Sequence, residues 1–161
     1  MDKTVFVGKI VDTHGIKGEL RIISDFPYKD RVFVVGHPIL VDGNEYVIKS
    51  YRVHKNYDMV TLDDYHNIND VLFLLKKEVF VSKDLIHLDA DEILDEDLIH
   101  YEVLTNDGKK GIIKEIFKAS ETNKILRIQL DREVLIPMSS PMIERIDKDK
   151  EQIIIHLMDG I

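Results

Sequence analysis

A mainly β fold in two small antiparallel β-barrel domains, joined by an acidic linker, is predicted by three observations. Short runs rich in Val, Ile, Phe and Tyr recur along the 161 residues, separated by turns containing Gly, Asn and Asp. Most connections between these runs are too short for helical crossovers, so neighbouring strands must pair antiparallel, and closure into a barrel removes exposed edges. Between His87 and Asp97 the composition changes to Asp89, Asp91, Glu92, Asp95, Glu96 and Asp97 around a few aliphatics. That run reads as a solvated connector, placing an N-terminal barrel at 1–86, a linker at 87–97 and a second barrel at 98–161.

In the first domain, β-branched and aromatic residues predict strands at 4–11, 20–23, 31–35, 38–40, 45–54 and 59–62. Gly15 and Gly18 lie between the first two and can take the positive φ that a tight reversal demands. One helix interrupts the series: Ile68, Val71, Leu72 and Leu75 follow i, i+3, i+4, i+7 spacing, with Asn67 placed to cap the N-terminus and Asp70 in the first turn. A strand at 78–81 follows. The second domain restarts the pattern with strands at 98–104, 111–116, 124–130, 134–136 and 152–157, turns at Asn106-Asp107-Gly108 and Asp131-Arg132, and a short helical piece near 139–143.

Composition narrows the function classes. Without cysteine there are no disulfides, thiolate metal sites or cysteine nucleophiles, which fits a reducing compartment, and a cytoplasmic location is expected. No segment approaches the roughly 20 apolar residues of a membrane span, and the N-terminus leads straight into a strand, so no membrane association is expected. The net charge of −8 argues against a protein that blankets nucleic acid with lysine. Its distribution is uneven. Residues 1–85 hold 12 Lys and Arg against 13 Asp and Glu, whereas residues 86–161 hold 10 against 17. A near-neutral first half can carry a local basic face; the acidic second half should repel RNA and attract a basic protein.

Candidate binding residues concentrate in the glycine loop. His14 and Lys17 are presented by it and Arg21 stands on the outgoing strand, which gives donors for an anionic partner on a stiff base. The same glycines also serve simply to turn a hairpin. A P-loop is excluded by order, since Lys17 precedes Gly18 and a strand follows instead of a helix. In the strand 45–54, Ser50, Arg52 and His54 share one face, which with Lys55 makes either a second basic patch beside Tyr51 or a solvated outer face. The seven histidines show neither i, i+4 pairing nor an H-E-x-x-H motif, so no metal is expected. Serines without a partner pattern and abundant surface carboxylates suggest no catalytic residues, no cofactor and no enzyme.

The run Val7-Gly8-Lys9-Ile10, a short spacer and then His14-Gly15-Ile16-Lys17-Gly18-Glu19-Leu20-Arg21-Ile22 resembles the opening of the RimM family of ribosome maturation factors. Asp97-Leu98-Ile99, Asn106-Asp107-Gly108, Leu135-Ile136-Pro137 and Ile146-Asp147 followed by Ile153-Ile154-Ile155 resemble successive landmarks of that family's C-terminal half, in the same order. The resemblance implies a RimM N-terminal barrel followed by a PRC barrel. It further implies a monomeric, non-catalytic assembly chaperone that binds the immature small (30S) ribosomal subunit, assists its head region and supports 16S rRNA processing. Its N-terminal barrel would lie against 16S rRNA through His14, Lys17, Arg21, Arg52, His54 and Lys55. Its C-terminal barrel would dock a basic head protein, number nineteen of the small subunit. The chain departs from the family where a pair of adjacent tyrosines often precedes Asp97-Leu98-Ile99: Ile93 and Leu94 stand there. They are candidates either for an apolar anchor toward the ribosomal protein or for ordinary core. His100 replaces the family glycine after that landmark. The alternative function is a PRC-barrel adaptor acting outside the ribosome.

Overall fold

The computed structural model describes residues 3–120 and 123–158, and the chain divides into two compact units, 1–87 and 88–161. In the first, β1 (Thr4–His14), β2 (Glu19–Ile23), β3 (Pro38–Val41), β4 (Asn44–His54), β5 (Tyr57–Leu62) and β6 (Glu78–Ser82) form a closed barrel in the order β1-β2-β5-β4-β3-β6. Every pairing is antiparallel, and β6 returns to β1 with Phe6 opposite Phe80. Alternation supplies the interior: Val5 and Val7 of β1, Leu20 and Ile22 of β2 and Val60 and Leu62 of β5 are buried.

Residues 31–35 are not a strand. A 3₁₀ turn covers Lys29–Arg31 and bends follow. Val32 and Phe33 are nonetheless buried, and the Phe33 ring stacks on Tyr51 at 6.0 Å. Their apolar character is satisfied by burial without a ladder. The neighbouring Asp58 carboxylate, also buried, accepts a hydrogen bond from the Tyr51 hydroxyl at 2.6 Å and pairs with Lys29 Nζ at 2.9 Å.

The helix begins where expected, with Asn67 Oδ1 accepting the Asp70 N–H at 3.2 Å. It lasts one turn, α1 (Ile68–Val71), before tightening to 3₁₀ over Leu72–Leu74. The tighter winding aligns i with i+3, so Val71 and Leu74 are buried while Leu72 turns outward at 47% exposure.

The second unit contains α2 (Asp95–Leu98), β7 (Glu102–Thr105), β8 (Lys110–Ser120), β9 (Asn123–Gln129), β10 (Glu133–Pro137), β11 (Ile143–Asp147) and β12 (Gln152–Ile155). These strands form one sheet in the order β10-β9-β8-β7-β12-β11. Four pairings are antiparallel, but β12 lies parallel to β7, with Ile153 opposite Val103. Among the described residues no ladder joins β10 to β11. The expected strand start at 98 is instead the end of α2, and the expected helical piece at 139–143 is a turn leading into β11, its Ser140 Oγ accepting the Met142 N–H at 3.1 Å.

Of the two readings of Ile93 and Leu94, exposed anchor or ordinary core, the burial corrects the anchor and favours the core. Leu94 is buried at 3% exposure, and Ile93 is half-buried against the core built around Leu98, Val103 and Leu126. Two lysines help hold the segment down: Lys124 pairs with the Asp95 carboxylate, and Lys148 Nζ donates to the Glu92 backbone carbonyl at 2.7 Å. Among the described residues, no helix is long and apolar enough to cross a membrane.

Candidate nucleic-acid interface

The glycine loop closes the β1–β2 hairpin at one end of the first barrel, with His14 opposite Glu19 as the final pair. It is braced from behind. The Ile68 N–H donates to the Ile16 carbonyl at 2.9 Å. Gly18, at φ +81°, passes so close to the chain that a Cβ there would stand 2.8 Å from the Asn67 carbonyl oxygen. With its back fixed by α1's entry, the loop presents Ile16 and Lys17 outward, both exposed.

The β4–β5 hairpin supplies the other side. Lys55 and Asn56 take φ of 50° and 68°, the two successive left-handed residues of a type I′ turn. That turn carries His54 to the end of β1, where its ring lies 5.6 Å from that of His14. Arg21 reaches the same place from β2. Its Nη2 donates to His14 Nδ1 at 2.8 Å, its Nη1 lies 3.7 Å from Asp12 Oδ2, and its guanidinium carbon is 5.7 Å from the centre of the Tyr57 ring. A guanidinium can only donate, so Nδ1 of His14 is the acceptor. Arg52 is clamped by Glu19 through Nε to Oε2 at 2.9 Å and Nη2 to Oε1 at 2.7 Å.

The structure therefore gathers His14, Arg21, Arg52 and His54 at one barrel end, with Lys17 and Lys55 exposed on the two turns. A groove of about 430 Å³ runs among His14, Ile16, Lys17, Glu19, Arg52 and Thr61. Sequence reasoning missed Glu19 as a site member. Its partner Arg52 stands 33 positions away, and only the β2–β5–β4 order brings them together.

The charges tune one another. The Arg52 fork holds the Glu19 carboxyl below its ordinary range, and Glu19 in turn raises Arg52. His54 is pushed below the usual imidazole value, first by lost hydration and then by Arg52, Lys55, His14 and Arg21. Arg21 and Arg52 are partly neutralised by Asp12 and Glu19, whereas among the described residues Lys17 and Lys55 enter no ion pair. The face offers fixed donors and two free cations, which is equipment for holding an anion. Among the described residues no group of three or more His, Asp or Glu side chains is placed to hold a metal ion.

Residues 5–86 match the family model described as the RimM N-terminal domain, and residues 90–160 match the PRC-barrel domain. A relative from Staphylococcus aureus (strain NCTC 8325 / PS 47) named ribosome maturation factor RimM is 34% identical over 165 residues, covering 98% of each chain. One of the same name from Shouchella clausii (strain KSM-K16) is 29% identical over 164 residues, covering 96% of this chain and 95% of its own. A solved Pseudomonas aeruginosa chain described as a 16S ribosomal RNA processing protein RimM aligns over 99% of this chain at 18% identity, with a TM-score of 0.47 too low to bear on the fold.

Proposed function

The chain belongs to the RimM family, a RimM domain followed by a PRC-barrel domain, and from that premise we propose that it is a ribosome maturation factor that binds the immature small subunit. On this reading it assists assembly of the head and supports 16S rRNA processing by binding, without catalysing cleavage. The observation that carries it is the convergence of Lys17, Arg21, Arg52, Lys55 and the His14–His54 pair at one end of the first barrel. Such a face meets phosphates. The acidic second unit, with 17 carboxylate residues against 10 basic ones over 86–161, is suited to a basic protein, and the nineteenth protein of the small-subunit head is the partner we assign to it. A factor that prefers one arrangement of the head shifts the population toward it by its differential affinity, and it departs when the finished subunit no longer offers the same surface.

Sedimentation of cell extract through a sucrose gradient tests this. The wild-type protein should travel with free small subunits, and Lys17→Glu with Lys55→Glu should shift it toward the top of the gradient, with the difference from wild type largest at low salt and shrinking as salt is raised. Co-sedimentation with some other complex would instead favour an adaptor acting outside the ribosome. A double variant that still rides with small subunits at every salt concentration would remove this face from the interface.

A further inference from the structure

We propose that Ile16 is an apolar finger that packs against unpaired nucleobases of the RNA held by the cationic face; this rests on the reading of that face as an RNA interface. At 81% exposure, Ile16 is the most exposed large hydrophobic residue among those described. An isoleucine left so far in water holds binding energy in reserve. Its placement is rigid. The Ile16 carbonyl accepts from the Ile68 N–H at 2.9 Å, and Gly18 two residues on is locked against the Asn67 carbonyl. Little ordering cost then remains to be met on binding.

The surroundings select the partner's chemistry. Ile16 shares its groove with His14, Lys17 and Arg52, and Lys17 is free of ion pairs among the described residues. An apolar pocket on a basic protein would have to approach these cations against repulsion. A splayed nucleotide offers a matching pattern instead, an apolar base face flanked by phosphates, and paired A-form helix gives side chains no such access to base faces. The isoleucine therefore reads structure: it favours sites where bases are unstacked, while the lysine supplies attraction that is indifferent to sequence.

Charge and apolar contact leave different signatures in a salt series, which makes the two separable. The full chain is bound to protein-free 16S rRNA transcript, and the logarithm of affinity is followed against the logarithm of salt concentration. Ile16→Ser should weaken binding about tenfold at each salt concentration with an unchanged slope, Ile16→Leu should restore near wild-type affinity, and Lys17→Ala should flatten the slope by about 0.7 to 0.9. Wild-type binding with no loss in Ile16→Ser overturns the finger and leaves the RNA face standing. The same holds if the loss shows only on immature subunits and not on naked rRNA, since Ile16 would then dock protein. Failure of the wild-type chain to bind the transcript overturns both readings.

Discussion

Substituting Gly18 by alanine tests whether the loop is as firmly braced as its geometry requires, and Gly15 provides an internal control. Both glycines sit in the left-handed region, at φ +81° and +74°, where an L-residue costs on the order of 1 to 2 kcal/mol. At Gly15 the new methyl would meet nothing within 4 Å, so that conformational cost is the whole expectation. At Gly18 the methyl would lie 2.8 Å from the Asn67 oxygen, 3.1 Å from its carbonyl carbon and 3.5 Å from Val71 Cγ2. Backbone atoms cannot rotate aside. The loop must back away, weakening the bond between the Ile68 N–H and the Ile16 carbonyl, which is worth about 0.5 to 1.5 kcal/mol. Gly18→Ala should therefore lose about 1.5 to 3.5 kcal/mol and Gly15→Ala about 1 to 2 kcal/mol. Five of the six tyrosines lie in the first unit, so urea unfolding followed by tyrosine fluorescence reports mainly that barrel. Equal losses at the two positions would refute the bracing, and with it the rigid placement of Ile16 and Lys17.

Leu94→Ala should lower the stability of the full chain by about 2 to 5 kcal/mol, because the side chain is buried; a variant that melts like wild type yet loses its protein partner would restore the exposed anchor. The depressed His54 makes two pH predictions of opposite sign. Its folded-state value lies below the ordinary 6.5, so the unfolded chain takes up the proton first and stability falls as pH drops through the window just below 6.5. RNA phosphates would favour the imidazolium, so affinity should rise over that window, and His54→Gln should abolish that dependence; flat affinity against pH in the wild type would refute the contact.

Much of the fold was legible because its contacts are local. Hairpins joined by Asp42-Gly43 and Asp107-Gly108 announce themselves through turn chemistry, and the Asn67 cap follows from side-chain reach alone. What escaped was nonlocal. The parallel pairing of β12 with β7 spans the whole length of the second unit, and no turn residue encodes it. Residues 31–35 carried β-branched composition for a different reason, since Val32 and Phe33 are buried without entering a ladder. Leu94 looked surface-bound because carboxylates flank it, yet one apolar side chain can turn inward while its neighbours stay wet, and Asp95 even finds Lys124.

The site was legible to the same extent. His14, Lys17 and Arg21 share one hairpin, and Arg52 to Lys55 share another, but the sequence could not say that the two hairpins meet, nor that the arginines arrive already paired. On the proposed reading, that pairing changes how a chain of charge −8 would hold RNA. The His14 ring nitrogen and the Glu19 carboxylate hold Arg21 and Arg52 in place, so the guanidiniums serve as aimed donors more than as free charge. Free cation comes chiefly from Lys17 and Lys55. Carboxylates farther away than the Debye length of about 8 Å at physiological salt are largely screened, so the local balance governs the encounter. Two free lysines release few counterions, which predicts a shallow salt dependence. Much of the selectivity would then have to come from shape and apolar contact, as in the proposed finger at Ile16. Under the proposed function, a face built this way would hold RNA only where the right nucleotides are unstacked, and would let go when folding buries them.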